Sequence, residues 1–263
     1  MKKLLLFLLL LSPALFAQET NDEWIVLHNE AMDLFEAGQG NIELAEKALK
    51  QAEAAIGADH ADLIALLDSM GVYYYMQGNL KQAGDCLERV ANMQEKLSGP
   101  NDPILANCLN DLGEIRKLQG QPKLAEELFE RSLSIRRWKL GYNHYLTAQS
   151  LNNLAQLYVT QGRYNDSGPL LKKALSIREK ELEPNHPDIA QSLNNLALFH
   201  VVMVEYDTAA ELFLRALAIY EKNPNHPDML TTLDSLAELY RVMSEDEKSA
   251  EILERAKQIR AEN

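Results

Sequence analysis

Apolar positions recur along this chain at helical spacing, and the same order of large, small and polar residues returns about every 42 residues. We count from a loop residue that is His60, Asp102, His144, His186 or His226 in successive copies. The seventh residue on is Leu67, Leu109, Leu151, Leu193 or Leu233, and the tenth is Met70, Leu112, Leu154, Leu196 or Leu236. The eleventh is always small: Gly71, Gly113, Ala155, Ala197, Ala237. The fourteenth is Tyr74, Arg116, Tyr158, His200 or Tyr240. Steps of 3, 1 and 3 put these side chains on one face of a helix. A turn follows, read as QGN, QGQ and QGR in the first three copies, where Gly78, Gly120 and Gly162 can take a positive φ. Val204 and Ser244 stand in that place in the last two copies, so those turns are expected to close differently.

A second helix is predicted after each turn. Its small position is Ala83, Ala125, Ser167, Ala209 or Ser249, and four residues later comes Leu87, Phe129, Leu171, Phe213 or Leu253. Val90, Ser132, Ala174, Ala216 and Ala256 follow on the same face, then Met93, Ile135, Ile177, Ile219 and Ile259. Each copy is thus a helical hairpin with small residues where its helices approach. One hairpin cannot bury both faces of its helices, whereas stacked copies can, which makes a solenoid. Five copies occupy 60–101, 102–143, 144–185, 186–225 and 226–263, the last step being shortened by two residues in the loop. Residues 18–59 read as an atypical capping hairpin, with helices over Trp24 to Phe35 and Ile42 to Ile56 around Gly38-Gln39-Gly40. That makes six hairpins and an all-α α-solenoid, with no linker or composition shift to divide it.

The first seventeen residues, MKKLLLFLLLLSPALFA, stand apart. Lys2 and Lys3 precede an apolar run, a Ser-Pro break and a small residue, so we expect a signal peptide cleaved after Ala17 and a secreted or periplasmic protein. The apolar run is shorter than the ~20 residues a membrane span needs, so no stable insertion is expected after cleavage. Cleavage takes the formal charge from −13 to −15, with the acids spread along the chain. That surface disfavours nucleic acid and anionic membranes.

The large-small-aromatic order of the first helix, the turn glycine and the small-x-x-x-large pattern of the second resemble the tetratricopeptide repeat. The long period, with stretches such as SLNNLAQLYVTQGRYNDSGPLLKKALSIREKELEPNHPDIA, is similar to the kinesin-light-chain type of that repeat. This resemblance implies a right-handed superhelix whose first helices line a concave groove for an extended peptide or a partner's helix. It implies no catalysis.

The family's geometry also turns one stripe of each first helix toward the groove, at the fifth, eighth, twelfth and fifteenth residues. The eighth is a ladder of Asp68, Asn110, Asn152, Asn194 and Asp234. Asparagine in a helix interior costs roughly 0.5 kcal/mol against alanine, yet its amide can pair with any peptide backbone. Related long-repeat proteins clamp an extended ligand with such asparagines, so the ladder is expected to supply affinity. Val159, Leu198, Val201, Tyr75 and charges such as Lys117 and Arg241 are expected to select the ligand's sequence, with Gln149, Gln156 and Gln191 on the same groove-facing stripe. The competing reading is that the ladder is inherited by duplication and simply solvated, or bonds between neighbouring helices. The next residue (Ser69, Asp111, Asn153, Asn195, Ser235) is expected to pack against the neighbouring hairpin.

Candidate chemistry is sparse. The four loop histidines fall in equivalent places of hairpins spaced about 8–10 Å apart, too far for a shared zinc with ligands at about 2.1 Å. Their expected role is helix capping. No phosphate loop, HExxH, CxxC or GxSxG is present, and His28 and His200 lack catalytic company. No enzyme activity, metal or cofactor is expected. Cys86 and Cys108 read as separate buried thiols. The favoured function is an exported scaffold that binds a protein or peptide partner. The alternatives are a structural or oligomerisation module pairing through the stack ends, near Leu253 and Ile259, or through the convex face, and a sensor subunit of an exported signalling system.

Overall fold

The computed structural model describes residues 23–36, 42–58, 60–223 and 226–262. The expected signal peptide and the Gly38-Gln39-Gly40 turn lie outside the described residues. Twelve helices follow one another, and no strand occurs among the described residues. They are α1 (Glu23–Glu36), α2 (Ile42–Ile56), α3 (Leu63–Met76), α4 (Leu80–Ser98), α5 (Pro103–Leu118) and α6 (Pro122–Leu140). The second half holds α7 (Tyr145–Thr160), α8 (Tyr164–Glu181), α9 (Pro187–Val202), α10 (Tyr206–Tyr220), α11 (Asp228–Val242) and α12 (Asp246–Glu262).

Consecutive helices pack as pairs, and the second helix of one pair packs on the first helix of the next, as α4 does on α5 and α10 on α11. This is the α-solenoid arrangement. The contacts fall into two compact units, Met1–Ile135 and Arg136–Asn263, with the border inside α6. Unit one is built on Leu67, Met70, Tyr74, Leu87, Val90 and Leu109. Unit two is built on Leu171, Leu193, Leu196, Phe213, Leu233 and Leu236. Each fully buried leucine contributes about 1.5–3 kcal/mol.

The alternation of large and small residues sets the closeness of each pair. Phe129 of α6 lies on Gly113 of α5, where an added Cβ would come within 2.6 Å of the ring. Gly71 leaves a softer fit, its Cβ position being 3.3 Å from Leu87. Where the small residue of the second helix is serine, its hydroxyl donates to the facing helix: Ser167 to the Ala155 carbonyl and Ser249 to that of Ala237, both at 2.9 Å. A buried hydroxyl is thereby satisfied without widening the contact. In α12 the large residue of this pattern, Leu253, is 42% exposed, while its counterparts Leu87, Phe129, Leu171 and Phe213 are buried.

The loop residue is the N-cap of the next helix in three copies, Asp102, His144 and His186, and makes the same bond just ahead of the helix in the other two. Asp102 accepts from the Ile104 amide at 2.8 Å, and the Nδ1 atoms of His60, His144, His186 and His226 accept from the amide two residues on at 3.1–3.3 Å. Nδ1 is therefore the acceptor, and the neutral ring carries its proton on Nε2.

The turns within the pairs differ from expectation. Val204 and Ser244 adopt φ values of 63° and 60°, in the same left-handed region as Gly78, Gly120 and Gly162. Their backbone bonds match as well: the Glu205 amide donates to the His200 carbonyl as that of Asn79 does to Tyr74. The turns close identically because the helices on either side leave one geometry for the connection. A β-branched residue holds that conformation at a cost of about 1–2 kcal/mol. Val204→Gly relieves that strain against the smaller entropic cost of glycine. It should raise stability by about 1 kcal/mol, read as a higher urea midpoint at unchanged slope, and a lowered midpoint would show that the valine is not strained.

Candidate functional site

The first helices carry the candidate residues. In unit two, α7 touches α9 and α9 touches α11, so their equivalent residues sit in adjacent rows. The eighth residue of each helix reaches the sixth residue of the next. Asn152 Nδ2 donates to Ser192 Oγ at 2.8 Å, and Asn194 Nδ2 donates to Thr232 Oγ1 at 2.6 Å. Asn152 is only 1% exposed, and the Oδ1 atoms of both asparagines are buried without a hydrogen-bond partner.

The node at Ser192 also takes a cation. Arg178 of α8 is 2% exposed and donates through Nη1 to Ser192 Oγ at 2.9 Å, to the Asp188 carbonyl at 2.8 Å and to Gln191 Oε1 at 3.1 Å. Burial lowers its pKa, and the Asp188 carboxylate, 3.9 Å away, opposes that shift. Arg136 is 1% exposed and repeats the motif, donating to the Leu146 carbonyl at 2.9 Å and Ser150 Oγ at 2.7 Å. Sequence reasoning missed the sixth-residue hydroxyls and these arginines. Their signal was a base placed twice, 42 residues apart, beside the buried isoleucines Ile135 and Ile177.

The two asparagines make the bonds between neighbouring helices that the competing reading describes. It is the first asparagine of each pair, expected to face a ligand, that bonds the neighbouring hairpin. Ser235, one residue after the ladder, bonds within its own helix, to Thr231. Contact of Asn152 with a ligand would require its amide to leave Ser192.

The rest of the stripe is more open. Leu198 of α9 is 47% exposed, and the residue just after the stripe on α9 and α11, Val202 or Val242, is 43% or 48% exposed. Arg241 pairs with Glu238, both exposed, and Asp234 receives two bonds from Arg260 of α12 at 2.7 and 2.8 Å. Gln149, Gln156, Val159, Gln191 and Val201 are half-buried. In unit one, Tyr75 is half-buried and Lys117 pairs at 2.6 Å with the nearly buried Glu114. Asn110 is 2% exposed. Asp68, the first rung, has a buried Oδ1 without a partner, and desolvation pushes its carboxyl up to about 6.

Covalent chemistry finds no support in the thiols. Both cysteines are free and buried, and burial pushes Cys86 up to about 11 and Cys108 up to about 12. Thiols held that far above neutral pH are poor nucleophiles. Among the described residues no group of three His, Cys, Asp or Glu is placed to hold a metal.

The comparisons place this architecture among known repeats. A family model described as tetratricopeptide repeat matches residues 63–137, 146–221 and 188–262. The nearly identical TPR-like repeats of a kinesin-light-chain-type protein from Podosopora anserina are 26% identical in sequence, with a TM-score of 0.62. That match covers 77% of this chain and 98% of the other. BtubC (BKLC) from P. vanneervenii matches at 20% identity and a TM-score of 0.66, over 91% of each chain. RapI in its apo form matches at 16% identity and a TM-score of 0.59, over 90% of this chain and 59% of the other. The two lower identities speak for the fold alone. No curated protein matches the chain.

Asp68 gives this site a pH dependence. Its folded pKa, raised above the ordinary carboxylate value of about 3.9, makes the folded chain hold the proton more tightly than the unfolded one. Stability is therefore lost as pH rises from about 4 to about 6, then levels off. Asp68→Asn, which installs the residue of the middle rungs, should stabilise the chain at pH 7 by about 1–2 kcal/mol and lose that advantage below pH 4. Unfolding curves at the two pH values check this, and an equal effect at both would remove desolvation as the cause.

Proposed function

The chain belongs to the tetratricopeptide repeat family, in its kinesin-light-chain-like form, and we propose that it is an exported, non-catalytic scaffold that binds an extended peptide segment along its first helices. The tetratricopeptide fold is one of protein–protein interaction. The observation that carries the finer reading is the exposure of Leu198, Val202 and Val242 beside Glu238 and Arg241 on adjacent helices of unit two. Apolar side chains left open beside paired charges offer a ligand both burial and orientation.

In this reading the apolar row takes the ligand's side chains. Gln149, Gln156 and Gln191 offer amides to its backbone, and Arg241 biases its sequence. Within unit two, Asn152 and Asn194 of the ladder act at the base of this face. Their amides meet a ligand only by exchanging their bonds to the neighbouring hairpin. Export is supported by the charged, apolar and small segments of the first seventeen residues.

Peptides selected from a random library against the whole chain should bind at this face. Leu198→Asp and Val202→Asp, both at exposed positions, should each weaken the selected peptides at least about tenfold, the loss of one buried apolar side chain, while thermal unfolding stays unchanged. Peptides indifferent to both substitutions would sink the reading. Expression of the full chain in a bacterial host should yield an exported product whose mass begins at Gln18; retention of residues 1–17 in the cytoplasm would refute export.

A further inference from the structure

The second helices carry an ion-pair ladder that sequence analysis did not register. A base 29 residues after the loop residue pairs with an acid of the preceding copy, 35 residues after its own loop residue. In unit one the pairs are Arg89 with Glu53 and Arg131 with Glu95. In unit two they are Arg215 with Glu179 and Arg255 with Glu221. One rung of unit two breaks the rule. Lys173 supplies the base, but the acid's place is taken by Arg137. Lys173 turns instead to Asn143 Oδ1, at 3.1 Å.

The residues around that rung are unlike the rest of the chain. Trp138 and Tyr142 are each 68% exposed, the highest exposure of any large apolar side chain described. Lys139 lies 4.5 Å from the Trp138 ring centre, and Arg137 lies 5.5 Å from that of Tyr142. Among the described residues no carboxylate pairs with Arg137, Lys139 or Lys173. Residues 131–165 contain no Asp or Glu at all, in a chain whose formal charge is −13. Two like charges stand where the other rungs hold an ion pair, and among the described residues no carboxylate offsets them.

We propose that Arg137, Lys139 and Lys173, framed by Trp138 and Tyr142, form a docking site for an acidic segment of a partner protein. The rings hold two of the cations in place through cation–π contact, so less side-chain freedom is lost when a carboxylate arrives. The positive field spans one rung, and the next rung of unit two, Glu179 with Arg215, is a neutral ion pair. A nucleic acid or an anionic bilayer extends beyond one rung and gains no free cation there, whereas a short carboxylate-rich peptide needs none. This site is separate from the first-helix face and does not depend on it.

The test is binding of a fluorescein-labelled oligoglutamate peptide to the whole chain, followed by anisotropy at low ionic strength. The wild type should bind, weaken as salt is raised, and bind equally well with Leu198→Asp present. Arg137→Glu restores the Glu–Lys rung, so it should unfold no earlier than wild type while weakening the peptide at least about tenfold. Lys139→Glu, at an exposed position, should weaken it similarly, and Lys257→Glu on α12 should not. Failure of the wild type to bind, or unchanged binding by Arg137→Glu and Lys139→Glu, overturns the proposal. So does capture of phosphatidylserine vesicles by wild type but not by Arg137→Glu, which would make the patch a membrane contact. Concentration-dependent self-association in sedimentation, abolished by Arg137→Glu, would overturn it in favour of a second copy of this chain.

Discussion

A helical hairpin of this length has more apolar surface than its own two helices can cover, and only the next hairpin can bury the remainder. Everything regular about the chain follows from that constraint. The large-on-small contacts, Phe129 on Gly113 and Leu87 on Gly71, bring paired helices close enough for one geometry to repeat. Once the pairs are uniform, the connections between them must be uniform too. That is why Val204 and Ser244 take a glycine's backbone conformation. The packing of α9 and α10 outweighs the 1–2 kcal/mol of strain that valine carries there, because a differently closed turn would misplace a whole interface.

Polar groups inside such an interface decide register. A purely apolar contact between neighbouring first helices could slide, whereas Asn152 to Ser192 and Asn194 to Thr232 hold only one alignment. Arg178 reinforces the first of these by bonding the same hydroxyl and the start of α9. The arrangement is not free. Buried Oδ1 atoms without partners cost about 1–3 kcal/mol each, more than one neutral hydrogen bond returns. Asp68 shows the same cost in another form, as a carboxyl driven toward its neutral state. Rungs of this kind lower stability and fix alignment, and they leave the exposed row of Leu198, Val202 and Val242 held at a constant spacing.

The fold was legible because its signal repeats. A single leucine-small-tyrosine spacing is weak, but five copies in phase identify both helices of each hairpin, the small positions and the capping residues. The site was less legible. Asn152 and Asn194 share a helix face with exposed residues, and periodicity cannot tell the rim of an interface from its outside. The partner of each asparagine lies 38 or 40 residues away in sequence, at a hydroxyl that reads as one more small core residue. The break in the charge ladder was written in the sequence at Arg137 but had no meaning until Glu179 and Arg215 showed which positions pair.

The sequence by itself determined the period, the pairing of helices, the small-residue contacts and the caps, because each depends on residues close together or repeated in phase. Tertiary structure decided what faces what. It assigned the asparagine amides to the neighbouring hairpin, held valine and serine in a left-handed turn, and left Trp138 and Tyr142 in water. The physical reason is that burial and hydrogen-bond partners belong to the space between hairpins, and a pattern along one helix specifies a face without specifying its occupant.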